Sequence, residues 1–162
     1  MSKNFSVKIM MPVFISMLLL INTGAASWPG KPKVQYKDFM LHSLSGETVT
    51  LAQFKGNNPV LLVFFATWCP PCKREVPQLK EMQNKYADRG LKILAIDIDE
   101  PNDIVREFVK EKGINYTVLL DEGAQVAEMY DVSGIPTNIL FDRDGNVRHA
   151  GHALPSNIED VL

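Results

Sequence analysis

The sequence is poor in cysteine, with two in 162 residues, which excludes a disulfide-dense scaffold. Charge of one sign is also missing. The 17 Lys and Arg nearly match the 19 Asp and Glu, for a net charge of −2, so there is no basic footprint for nucleic acid and no polybasic membrane patch. No internal repeat or low-complexity tract is present, which excludes a solenoid or a disordered chain. Histidine is scarce: His42, His149 and His152 are scattered. A zinc site on the two cysteines would need a second ligand pair that the spacing does not supply, so neither a metal nor a cofactor is expected. Asp142-x-Asp144-Gly145 lacks the later glutamate of a calcium loop and reads as a turn.

Hydrophobic residues make up 46% of the chain and charged residues 22%, enough apolar material for one core. The amino-terminal 26 residues differ from the rest. Lys3 and Lys8 precede Ile9–Ile21, which is apolar apart from Pro12 and Ser16, and Gly24-Ala25-Ala26 follows. This is the layout of a secretory signal, and its apolar run is shorter than the ~20 residues that span a bilayer. Cleavage after Ala26 or Ser27 is expected; an uncleaved anchor is the other reading. No cysteine follows the run, which argues against a lipid anchor. Loss of the leader leaves 15 basic and 19 acidic residues, a net charge of −4. The expected division is a signal over 1–26, a linker over 27–37 rich in proline and glycine, and one domain over 38–162.

Export would place the two cysteines, Cys69 and Cys72, in an oxidising compartment, where a structural disulfide is the usual outcome. Yet a bridge across two residues removes little unfolded-chain entropy, because that gain grows with loop length. A reversible redox role explains the pair better.

Phe39–Leu41 and Thr48–Leu51 flank Ser45-Gly46 as a hairpin, with a helical turn over 52–56. Val60–Phe65 is an unbroken apolar run that predicts a central strand covered on both faces. A helix over 70–89 carries Val76, Leu79, Met82 and Tyr86 at helical spacing, is closed by Gly90, and should kink at Pro77. A strand over 91–98, a helix over 102–112 closed by Gly113, a strand over 116–120 and a short helix over 124–130 follow. Asn138–Phe141 and Val147–His149 surround a turn of Asp, Gly and Asn and form a second hairpin, and 155–162 starts a short last helix. The alternation gives an α/β layered fold with a hairpin at one edge.

The spacing C-x-x-C is weak by itself, but here it joins an apolar strand to a helix. With Cys69 as N-cap, Pro70 and Pro71 take the first helical positions, where a missing N–H is harmless. The unpaired N–H groups and dipole there favour a thiolate on Cys69. Cys72 lies one turn in, set to resolve a mixed disulfide. Gly134-Ile135-Pro136-Thr137, directly before a strand, suits a cis-proline.

Ala66-Thr67-Trp68-Cys69-Pro70-Pro71-Cys72, with the preceding strand and with Ile135-Pro136-Thr137, resembles the thioredoxin superfamily. The hairpin before the first central strand and the extra strand–helix unit before Pro136 resemble its exported TlpA/ResA-like branch. The resemblance spans about Asp38 to Gly151. It implies a thioredoxin-like fold, a central mixed sheet flanked by helices. It also implies Cys69 as the attacking thiol, Cys72 as the resolving thiol, and Pro136 as a cis-proline that helps dock substrate. Val63 stands where thioredoxins have a buried aspartate. Glu75 matches a glutamate of the branch three residues after the second cysteine and is within reach of the Cys72 proton; a solvated helix charge is its alternative. Trp68 belongs either to the substrate surface or, in part, to the core. Asp97 and Asp99 alternate at a strand end near the active-site edge; they read as solvated strand-end charges, with tuning of the local field as the alternative.

The expected activity is thiol–disulfide exchange outside the cytoplasm, in the periplasm or on the outer face of the cytoplasmic membrane. The resemblance implies protein disulfides as substrates, apocytochrome c among them, a membrane thiol relay as electron donor, and a monomer. A disulfide donor or isomerase of the same fold and a redox-inert binding module are the alternatives. A peroxidase would need its reactive cysteine in a different local setting.

Overall fold

The computed structural model describes residues 34–162. The expected signal over 1–26 and the linker as far as Lys33 lie outside the described residues. The backbone of 34–39 is irregular, and Val34 and Tyr36 pack on the domain.

Seven strands form one sheet: β1 Met40–Ser43, β2 Thr48–Thr50, β3 Val60–Phe65, β4 Lys92–Ile98, β5 Thr117–Asp121, β6 Thr137–Phe141 and β7 Val147–Gly151. Their order is β2-β1-β5-β4-β3-β6-β7. β3 pairs parallel with β4, and β4 with β5. The remaining neighbours are antiparallel. The mixed sheet, flanked by helices, is that of a thioredoxin fold. Every residue of β3 is buried, as its uninterrupted apolar run requires of a strand covered on both faces.

Three helices complete the layers: α1 Pro70–Tyr86, α2 Asn102–Lys112 and α3 Gln125–Met129. Alternation along β3 and β4 divides their side chains between two cores. Leu61, Val63 and Phe65 with Ile93 and Ala95 pack against Val76 and Leu79 of α1 and Phe108 of α2. Leu62, Phe64, Leu94 and Ile96 face α3 on the other side, with Tyr130 just beyond it. The Tyr130 ring lies among Phe39, Phe64 and Phe141, and its hydroxyl donates to the Lys37 carbonyl at 2.5 Å.

α2 ends where the sequence predicts an end, and α1 ends three residues short of its predicted span. Gly113 caps α2 in the left-handed region at φ 57°, which glycine enters without steric strain. α1 itself stops at Tyr86, and 87–89 continue as a tighter 3-10 turn up to Gly90. Pro77 is accommodated inside α1. The last predicted helix is reduced to a 3-10 turn over Ile158–Val161. Four residues after a non-helical Asn157, without a side-chain cap, are too few to offset helix nucleation. Ile158 and Val161 are nonetheless buried against the α1 side of the sheet.

Candidate active site

β3 delivers the chain to the start of α1, and Cys69 sits there as the N-cap with extended backbone. Its sulfur accepts from the Cys72 N–H at 3.2 Å, satisfying one of the donors a helix start leaves unpaired. Pro70 and Pro71 fill the first two helical positions, where no N–H is needed. Cys69 and Cys72 are joined as a disulfide with Cα atoms 5.3 Å apart. Both are nearly inaccessible, at 2% and 5% exposure. The thiols are therefore reached through the rim of the site. Trp68 stands on that rim at 67% exposure, which decides against core burial.

The turn before β6 closes the other side. The Ile135–Pro136 bond is cis, and the Ile135 carbonyl oxygen lies 3.8 Å from Cys69 Sγ. Thr137 holds the turn by donating its hydroxyl to the Gly134 carbonyl at 2.6 Å. His152 Nδ1 lies 2.7 Å from the Pro136 carbonyl oxygen, which requires the proton on that nitrogen.

Glu75, one turn beyond Cys72, is half-buried. Its two carboxyl oxygens each lie 3.3 Å from Asn138 Nδ2, which also donates to the His152 carbonyl at 3.2 Å. Burial pushes the Glu75 carboxyl up, and the Asn138 hydrogen bond partly opposes that. Its charge also helps to raise the Tyr116 hydroxyl, which burial raises most. Glu75 is thus a half-buried acid turned toward Asn138.

The reading of Asp97 as a solvated strand-end charge is overturned. Asp97 is 1% exposed, because its parity on β4 turns it to the α1 side of the sheet. Burial first, and then Glu100, push its carboxyl up to about 8. Asp99 lies just past the end of β4 with a left-handed backbone at φ 55°; it is exposed, and its carboxylate accepts from the Gly123 N–H at 2.8 Å.

Asn138, His152 and Glu100 escaped the sequence reading. Asn138 carried a signal: it is the one polar residue in Asn138-Ile139-Leu140-Phe141, and it is fully buried. His152 and Glu100 carried none, since their partners lie 16 and 33 residues away in sequence. Among the described residues no group of three or more His, Cys, Asp or Glu is placed to hold a metal. No described helix is long and apolar enough to cross a membrane.

Chemically, the arrangement offers a dithiol–disulfide couple at a helix start, a half-buried acid one turn on, and a backbone carbonyl against the outer sulfur. The family model described as AhpC/TSA matches residues 32–150. The thiol-disulfide oxidoreductase ResA of Bacillus thuringiensis subsp. konkukian is 38% identical over 127 residues, covering 77% of this chain and 73% of its own. That of Bacillus anthracis is 34% identical over 146 residues, covering 83% and 84%. Among solved structures, the thioredoxin domain of a thiol-disulfide oxidoreductase from Bacteroides vulgatus superposes with a TM-score of 0.70 at 26% identity, over 80% of this chain and 97% of that one. A thioredoxin-family thiol:disulfide interchange protein from Chlorobium tepidum gives 0.67 at 28%, over 78% and 90%.

Proposed function

Because the chain belongs to the AhpC/TSA family and is a thiol-disulfide oxidoreductase of the ResA type, we propose that it reduces protein disulfides outside the cytoplasm. In this reading residues 1–26 are a secretory signal. The Cys69 thiolate attacks a substrate disulfide; a Cys69–substrate disulfide forms and one substrate thiolate leaves. Cys72 then loses its proton and attacks the Cys69 sulfur. The Cys69–Cys72 disulfide forms, and the second substrate sulfur leaves as a thiolate that takes up a proton. Two electrons have passed from the protein to the substrate. Glu75 is the base that takes the Cys72 proton. Trp68 and the Ile135–Pro136 turn hold the substrate chain, and a membrane thiol relay returns the electrons. The cysteine pair of apocytochrome c is the substrate the resemblance favours.

The observation that carries this reading is the Cys69–Cys72 disulfide across the start of α1, with the Ile135 carbonyl 3.8 Å from Cys69 Sγ. A donor or isomerase would use the same atoms in reverse, and the reduction potential decides between them. Equilibration of the mature protein in glutathione buffers should give a potential well below the roughly −120 mV of a strong disulfide donor. It should also reduce insulin. A potential at the donor end would reverse the direction proposed here, and no exchange in either direction would leave a binding module.

A further inference from the structure

Asp97 is the one carboxylate among the described residues that is buried with neither oxygen in a hydrogen bond. Its position makes that significant. Asp97 pairs in register with Phe65, the last residue of β3, and shares the parity of Ile93 and Ala95, which pack in the same cluster as Cys69 and Cys72. From Phe65 the chain passes through Ala66, Thr67 and Trp68 to Cys69. That turn is gripped from the far end of β4. Glu100 accepts from the Thr67 N–H at 2.5 Å and from the Thr67 hydroxyl at 2.6 Å. Inside the turn, the Cys69 N–H donates to the Ala66 carbonyl at 3.2 Å.

We propose that Asp97 and Glu100 are an electrostatically coupled carboxyl pair that positions the Ala66–Cys69 turn and thereby sets the reactivity of Cys69. This rests on Cys69 being the attacking thiol. With the proton on Asp97, the pair carries one negative charge, held on Glu100 where two Thr67 donors satisfy it. Ionising Asp97 puts a second charge in an apolar site beside the first, and like charges at such range repel strongly where water is excluded. The repulsion is relieved by moving the Glu100 carboxylate, and Thr67 moves with it.

No cation offsets the second charge. The ion pairs among the described residues include neither Asp97 nor Glu100. The charged group that β5 brings near is Asp121, a third acid, whose oxygens accept from the Val126 and Ala127 N–H groups. β3 contributes Phe65, α1 contributes the cysteine pair, and on α2 the Arg106 guanidinium is turned to the Leu44 carbonyl and Asn102. Burial and Glu100 together push Asp97 up to about 8, within the range where thiols titrate.

The test uses the Cys72→Ser protein, so that Cys69 is the only thiol and no substrate is required. The Asp97 carboxyl is followed by carbon NMR, and Cys69 by its rate of alkylation with iodoacetamide, from pH 5 to 10. The Asp97 signal should titrate near 8, and the alkylation profile should show a second step at the same midpoint, beside that of the thiol. Asp97→Asn should lose the second step and keep the first. Glu100→Gln should move the Asp97 midpoint down, because a neighbouring negative charge is gone. An Asp97 midpoint below 6, or an alkylation profile that Asp97→Asn leaves unchanged, overturns the proposal. If Asp97→Asn does not fold, an Asp97 midpoint unmoved by Glu100→Gln does the same. Absence of the second step from the Cys72→Ser protein itself, when the wild type still reduces insulin, sinks the carboxyl pair alone. A coupled step in a chain with no exchange activity sinks the proposed function alone.

Discussion

Asp97 and Glu75 are acids placed where a folded chain pays for ionising them. For Asp97 the linkage has a definite sign. Its folded-state value, about 8, lies above the ordinary 3.8. Between those values the unfolded chain gives up the proton and the folded chain keeps it, so stability falls as pH rises across that window. Asp97→Asn should flatten the fall and be the more stable protein at pH 8, by about 2 kcal/mol after discounting for relaxation around the site. Urea unfolding at pH 5 and pH 8 measures this; parallel pH dependence in the two proteins would show that Asp97 ionises freely. Glu75 is held by Asn138 and raised by burial. Glu75→Gln should slow exchange by roughly tenfold to a hundredfold, the range for loss of a general base. It should also lower the Cys72 titration by removing a nearby negative charge. Unchanged thiol titration and exchange would return Glu75 to a spectator. The type of Glu75 and its spacing from Cys72 were legible in the sequence; its inward direction was not, because Asn138, 63 residues away, supplies the partner.

At the level of elements, local chemistry was a good guide wherever the ends of an element carried their own signals. Val60–Phe65 declares a two-faced strand by lacking alternation. α2 occupies the predicted span because Gly113 closes it. Gly113 lies at φ 57° with its would-be Cβ 3.3 Å from Lys80 Nζ, so Gly113→Ala should cost about 1 kcal/mol, read from the urea midpoint. α1 depends more on its buried face: Leu79 is 2% exposed in the core under the disulfide. Leu79→Ala should cost about 2–5 kcal/mol through lost burial and a cavity. A loss under 1 kcal/mol in thermal or urea unfolding would mean that α1 is loosely packed. The last segment shows the limit of local signals. Pro155 and the apolar Ile158 and Val161 suggest a helix start, but so short a segment takes its shape from the surface it covers. Here Tyr86 donates its hydroxyl to Glu159 at 3.0 Å, tying a 3-10 turn to the end of α1.

On the scale of the whole molecule, the disulfide links redox poise to folding. An oxidoreductase that gives up electrons readily is one whose folded state favours the disulfide form, and a strong oxidant is one whose reduced form is favoured. The reductase reading therefore predicts a higher melting temperature for the oxidised protein than for the dithiol protein. Thermal unfolding with and without reductant reads the sign, and a more stable dithiol form would reverse the direction of electron flow. The sequence by itself determined the redox pair and its place at a helix start, because Cys69, Pro70, Pro71 and Cys72 interact across a single turn. It also determined the strand–helix alternation, which follows from side-chain periodicity. The tertiary structure alone decided what surrounds the pair. Sheet order β5-β4-β3-β6 brings Ile135 to Cys69 across 66 residues and Asn138 to Glu75 across 63. It also turns Asp97, which by sequence is one more charge at a strand end, into a buried acid on the redox side of the sheet. Such contacts depend on which strands become neighbours, and hydrophobic periodicity fixes which face a residue takes without naming the residues it will meet there.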